Sequence, residues 1–104
     1  MTKVVFYGDP KLTGFCIKGH STNNVDDEIG RLVCAFISSA AYMTANTVTD
    51  IIKADAFVSE DDGCMVLKVA QPDAMTEIVL RGFKLHMEEL AKQYKKNIKI
   101  SSEV

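Results

Sequence analysis

Two spacings of apolar residues divide this chain into strands and helices. Residues 3–7 (KVVFY) are β-branched or aromatic, residues 8–10 (GDP) carry turn chemistry, and residues 12–18 alternate loosely around Phe15 and Ile17. That pattern predicts two strands joined as a hairpin. On the second strand a period of two places Cys16, Lys18 and His20 on one face. From Arg31 to about Asp50 the spacing lengthens to 3.6, with Val33, Phe36 or Ile37, Ala40, Met43 and Val48 forming the buried stripe of a helix. Asp26, Asp27 and Glu28 precede it and suit a helix N-terminus, while Gly30 disfavours an early start and leaves the capping residue open among them. An adjacent stripe of Cys34, Ser38, Ala41 and Ala45 is made of small side chains. Its simplest use is a tight helix-on-sheet contact, and a substrate or a partner helix could also approach it.

The second half repeats the order. Residues 56–59 read as a short strand, 60–63 (EDDG) as a turn with Gly63 at a position needing positive φ, and 64–70 (CMVLKVA) as a buried strand. Pro72 and Asp73 open a second helix, on which Met75, Val79, Phe83, Met87, Leu90 and Tyr94 share a face, with Lys92, Lys95 and Lys96 suitably placed near its C-terminal end. Gly82 in mid-helix suggests close packing, because it costs about 1 kcal/mol relative to Ala. Asn97 stops the helix, and Ile98 and Ile100 alternate with Lys99 in a strand suited to a sheet edge. The order strand, strand, helix, strand, strand, helix, strand predicts an α+β two-layer sandwich, with helices packed on a mixed or antiparallel sheet.

Composition narrows the class. With 104 residues and 47% hydrophobic content, residues 1–104 are expected to form a single domain with a core that needs neither disulfides nor metal. A net charge of -2 and a pI near 5.6 disfavour a nucleic-acid partner and accommodate a basic one. Three cysteines without paired spacing suggest a reducing compartment, and the N-terminus shows no signal-peptide pattern. No stretch approaches the roughly 20 apolar residues of a membrane span. A cytoplasmic location without a membrane partner is therefore expected.

The chemistry concentrates between Gly14 and Ser39. His20 ends an apolar strand, residues 21–29 are polar apart from Val25 and Ile29, and Cys34 follows near the start of the helical pattern. An imidazole beside a thiol at a helix start is an arrangement that generates a thiolate nucleophile. The loop is expected to be mobile without substrate and to order over a bound peptide, and backbone N–H groups at the helix start are expected to stabilise an oxyanion.

Gly19-His20, a polar loop containing Gly30, and Cys34-Ala35 with Ser38 one turn on together resemble the ribosomal-processing cysteine proteases. These are small bacterial enzymes that trim the N-terminal extension of a large-subunit ribosomal protein. The resemblance covers essentially the whole chain. It implies that Cys34 is the nucleophile and His20 the general base, with Gly19 and Ser38 grouped around them. It also implies a ribosomal protein precursor as partner, through its N-terminal peptide, and a homodimer. Relatives often carry Asp three residues before the Cys, where this chain has Arg31. Either Asp26, Asp27 or Glu28 substitutes or the role is dispensable, and Arg31 could instead act on the thiol as a nearby cation.

Two rival readings follow from the same residues. Cys16, His20 and Cys34 with Cys64 or His86 could bind zinc, but the spacing matches no compact motif, so neither a metal nor another cofactor is expected. The second rival is a non-catalytic binding or dimerisation domain that uses the helix stripe. Cys64 reads as core and His86 as helix surface.

Overall fold

The computed structural model describes residues 1–19 and 27–103. The elements are β1 (Thr2–Tyr7), β2 (Gly14–Lys18), α1 (Glu28–Asn46) continued by a π-helical turn (Thr47–Ile51), β3 (Ala56–Asp61), β4 (Cys64–Val69), α2 (Ala74–Gln93) and β5 (Ile98–Glu103). The five strands form one sheet in the order β3-β4-β2-β1-β5, with β1 and β5 parallel and the other pairs antiparallel. The expected order and the two hairpins are present. The pairing of β2 with β4 joins the hairpins, and β5 closes one edge as expected.

Both helices cover one face of the sheet. Val4, Phe6, Phe15 and Leu67 on the strands meet Val33, Ile37, Ala41, Leu80, Phe83 and Met87 from the helices, all buried. Phe15 and Phe6 stack against Phe83 with ring centroids 4.5 and 5.8 Å away. Alternation along β2 therefore turns Cys16 to the opposite face.

The local readings were corrected at several points. Asp27 is the N-cap of α1, its carboxylate accepting from the Gly30 N–H at 2.8 Å, so the helix begins at Glu28 despite Gly30. Within the segment expected to be mobile, 27–29 thus belong to the helix start, while 20–26 lie outside the described residues. The buried stripe of α1 is Val33, Ile37, Ala41, Ala45 and Val48; Phe36 and Ala40 are half-buried, and Met43 is 70% exposed. Ala41 and Ala45 of the small-residue stripe are buried, and Met43, two residues from each, faces outward. α2 opens with a capping box between Asp73 and Thr76, and Thr76 and Leu80 are buried while Met75 is exposed. A Cβ on Gly82 would meet nothing within 4 Å, so that glycine is on open surface rather than in a close contact. β3 runs through Asp61, which reduces the turn to Asp62 and Gly63, the latter at φ 74°.

The stretch Glu28–Ile51 is long and apolar enough, by length and composition, to cross a membrane, contrary to the sequence expectation. Its apolar stripe is instead committed to the sheet.

Candidate active site

The end of β2, the middle of α1 and the β3–β4 hairpin converge on one cleft. Thr2, Ile17, Gly19, Cys34, Ile37, Ser38, Ala41, Tyr42, Glu60, Asp61, Gly63, Cys64 and Met65 line a cavity of about 150 Å³. Each wall follows from its local sequence. Cys34 and Ser38 are one turn apart on α1, so both reach the same side of the helix. Cys34 is half-buried and Ser38 exposed. Ile17 and Met65 are direct cross-strand partners, and with Ile37 and Ala41 they give the cleft an apolar floor.

Gly19 forms the end wall at φ 86°, where a Cβ would stand 2.8 Å from the Met1 carbonyl oxygen. Only glycine fits that conformation and that approach. Its N–H donates to the Gly63 carbonyl at 2.8 Å, tying the end of β2 to the opposite hairpin. The positive φ also ends the strand alternation at the residue before His20.

The structure thus brings Gly19, Cys34 and Ser38 to one cleft. His20 and Asp26 lie outside the described residues. Asp27 and Glu28 serve the start of α1, Asp27 as cap and Glu28 in the first turn. Arg31 is exposed, one turn before Cys34, and its N–H donates to the Asp27 carbonyl at 3.1 Å.

Cys34 is the seventh residue of α1 rather than a first-turn residue. At 1.5 Å per residue it stands about 9 Å beyond Glu28, and the field of a helix terminus fades within one turn. The helix start therefore supplies neither the oxyanion donors nor the thiolate stabilisation expected of it. Gly30, for example, already gives its N–H to Asp27.

The other two cysteines belong elsewhere. Cys16 is 1% exposed on the face turned away from the helices, in contact with Tyr7 and Cys64. Burial pushes its thiol above the usual cysteine range, with Cys64 adding to the rise and Lys18 opposing it. Burial, with Cys16 beside it, likewise raises the Tyr7 phenol. Cys16 and Cys34 thus flank the sheet from opposite sides, which the zinc reading does not survive. Cys64 is half-buried at the cleft border rather than in the core.

Sequence reasoning missed Tyr42 and Glu60. The Tyr42 hydroxyl donates to Glu60 Oε1, joining α1 to β3 across the cleft rim. That hydrogen bond is the main cause of the raised Tyr42 pKa. Glu60 faces the helices by alternation with Ala56 and Val58, and an acid there was the available signal.

Comparison with known proteins places this cleft in context. No functionally curated protein matches the chain. Among solved structures, the ribosomal processing protease Prp of Staphylococcus aureus with a covalently linked product peptide superposes with a TM-score of 0.87 at 17% identity, covering 99% of this chain and 100% of that one. The same enzyme with a substrate peptide gives 0.87 at 15% identity and the same coverage. A Streptococcus mutans protein gives 0.83 at 16%, covering 98% and 96%. At these identities the likeness establishes the fold. The family model of cysteine protease Prp matches residues 1–99, and this chain belongs to that family.

Proposed function

We propose that this protein is a cysteine endopeptidase that removes the N-terminal extension of a bacterial large-subunit ribosomal protein. Cys34 acts as nucleophile and His20 as general acid and base. The observation that carries the reading is Cys34 half-buried in the wall of an open, apolar-floored cleft, with Gly19, the residue before His20, on the same cleft. The S. aureus relative, crystallised with a covalently linked product peptide, supports the same chemistry.

In this reading His20 takes the Cys34 proton and the sulfur attacks the scissile carbonyl. The tetrahedral intermediate collapses as His20 returns the proton to the leaving amine, and a thioester remains. Water, deprotonated by His20, then attacks the thioester, and the sulfur leaves to recover its proton. Both transfers use the same imidazole, so the dyad is complete without a third member. The protein works as a homodimer in the cytoplasm, where three cysteines outside any disulfide suit a reducing compartment.

A chloromethyl ketone built on the sequence before the cut tests this assignment. Sulfur displaces chloride, and mass spectrometry is expected to find the adduct on Cys34. An adduct on Cys16 or Cys64 with Cys34 unmodified contradicts it.

A further inference from the structure

We infer that the Tyr42–Glu60 hydrogen bond is a specificity-determining crossbar that limits the size of the side chain admitted to the far end of the cleft. The inference rests on the reading of Cys34 as nucleophile and concerns what the same cleft accepts.

Tyr42 lies eight residues after Cys34 on α1, about 12 Å along the helix axis. An extended peptide advances about 3.3 Å per residue, so the crossbar stands three to four residues from the bond that is cut. Between the two ends the floor is Ile17, Ile37, Ala41 and Met65, and the charged lining residues are Glu60 and Asp61 of β3. A cavity of about 150 Å³ over such a floor suits one medium apolar side chain. Its outer limit is the bond from Tyr42 to Glu60, which links a helix to an edge strand in the other layer.

Glu60 by itself has a simpler use, because an inward-facing charge on an edge strand discourages sheet-to-sheet association. That use requires no partner, and Glu60 has one. It accepts from a tyrosine on the helix that also carries Cys34, and the two residues are both part of the cleft lining. Both side chains are otherwise exposed, Tyr42 at 44%, so the bond shapes the rim without supporting the core.

The test uses the full chain and a set of peptides from the cleaved sequence, each carrying Leu, Phe or biphenylalanine at one position from four residues before the cut to four after it. In the wild type one position three or four residues from the cut is expected to reject biphenylalanine, with kcat/KM about tenfold below Phe, mostly through KM. Tyr42→Ala is expected to bring that ratio within about threefold at that position only. Tyr42→Phe, which keeps the ring and loses the bond, should give part of the relief, and Glu60→Gln, which still accepts the bond, should retain the limit. Dissociation constants of the same peptides on Cys34→Ala, with and without Tyr42→Ala, read the size limit without any turnover. If Cys34→Ala still cleaves, the nucleophile assignment fails while the size limit is still measured by binding. An unchanged Leu, Phe and biphenylalanine ranking in Tyr42→Ala, or a uniform loss at all positions with normal folding, overturns the crossbar.

Discussion

Cys34 and Cys16 stand in different environments. Cys34 borders an open cleft, whereas Cys16 is sealed under the outer face of the sheet beside Tyr7. Alkylating the native protein with a small reagent at pH 6 to 7 should label Cys34 first and Cys16 last, because the thiolate reacts and burial suppresses it. If His20 activates Cys34, His20→Ala slows that labelling without changing Cys16. Labelling of Cys16 as fast as Cys34 is the contrary result. At this scale the sequence was most informative about Gly19, Cys34 and Ser38, since short-range spacing on a strand end and a helix governs them. It was silent on the Tyr42–Glu60 bond, which joins residues 18 apart through the packing of two layers. It also misread Cys64, since a half-buried strand end and a buried strand centre look alike in an apolar run.

Among the elements, α1 carries the most. Its buried stripe joins the core, and its neighbouring face presents Cys34 to the cleft. Periodicity made the helix legible, but not its rotation, because Met43 and Ala41 both fit apolar templates and the core buries only the alanine. Its start depends on Asp27. Asp27→Ala should destabilise the protein by about 1 kcal/mol in denaturant titrations, and Asp27→Asn by much less, since Asn also caps. Equal losses would show that charge rather than capping matters there. The strands make a second prediction through Cys16 and Tyr7. Each holds its proton more tightly when folded, so the unfolded chain releases more protons at alkaline pH and is favoured there. Stability from Cys16 is complete below the ordinary cysteine value of 9.0 and declines as pH rises through it. The melting temperature should therefore fall above pH 9, and fall less in Cys16→Ala. A parallel decline in both proteins assigns the effect elsewhere.

For the molecule as a whole, strand order was the part least legible in the sequence. Local alternation identifies hairpins, whereas the β2–β4 and β1–β5 pairings join segments far apart in the chain, and β5 pairs parallel with β1. Once the order is set, the cleft follows, because β4 beside β2 brings Gly63 to Gly19 and Met65 to Ile17. The mildly acidic surface suits a basic substrate. Replacing Asp26, Asp27 and Glu28 by Asn, Asn and Gln preserves a capping side chain and removes the charge. The association rate with the ribosomal protein should drop more at low salt than at high salt, and equal rates in both conditions would remove steering by these acids. The central claim is that Cys34 performs the cut. It is tested most directly by incubating the host's extended ribosomal protein with the wild type and with Cys34→Ala, then measuring the N-terminal mass of the product. The wild type is expected to yield one shortened species and folded Cys34→Ala none, while trimming by Cys34→Ala at an undiminished rate would contradict the account.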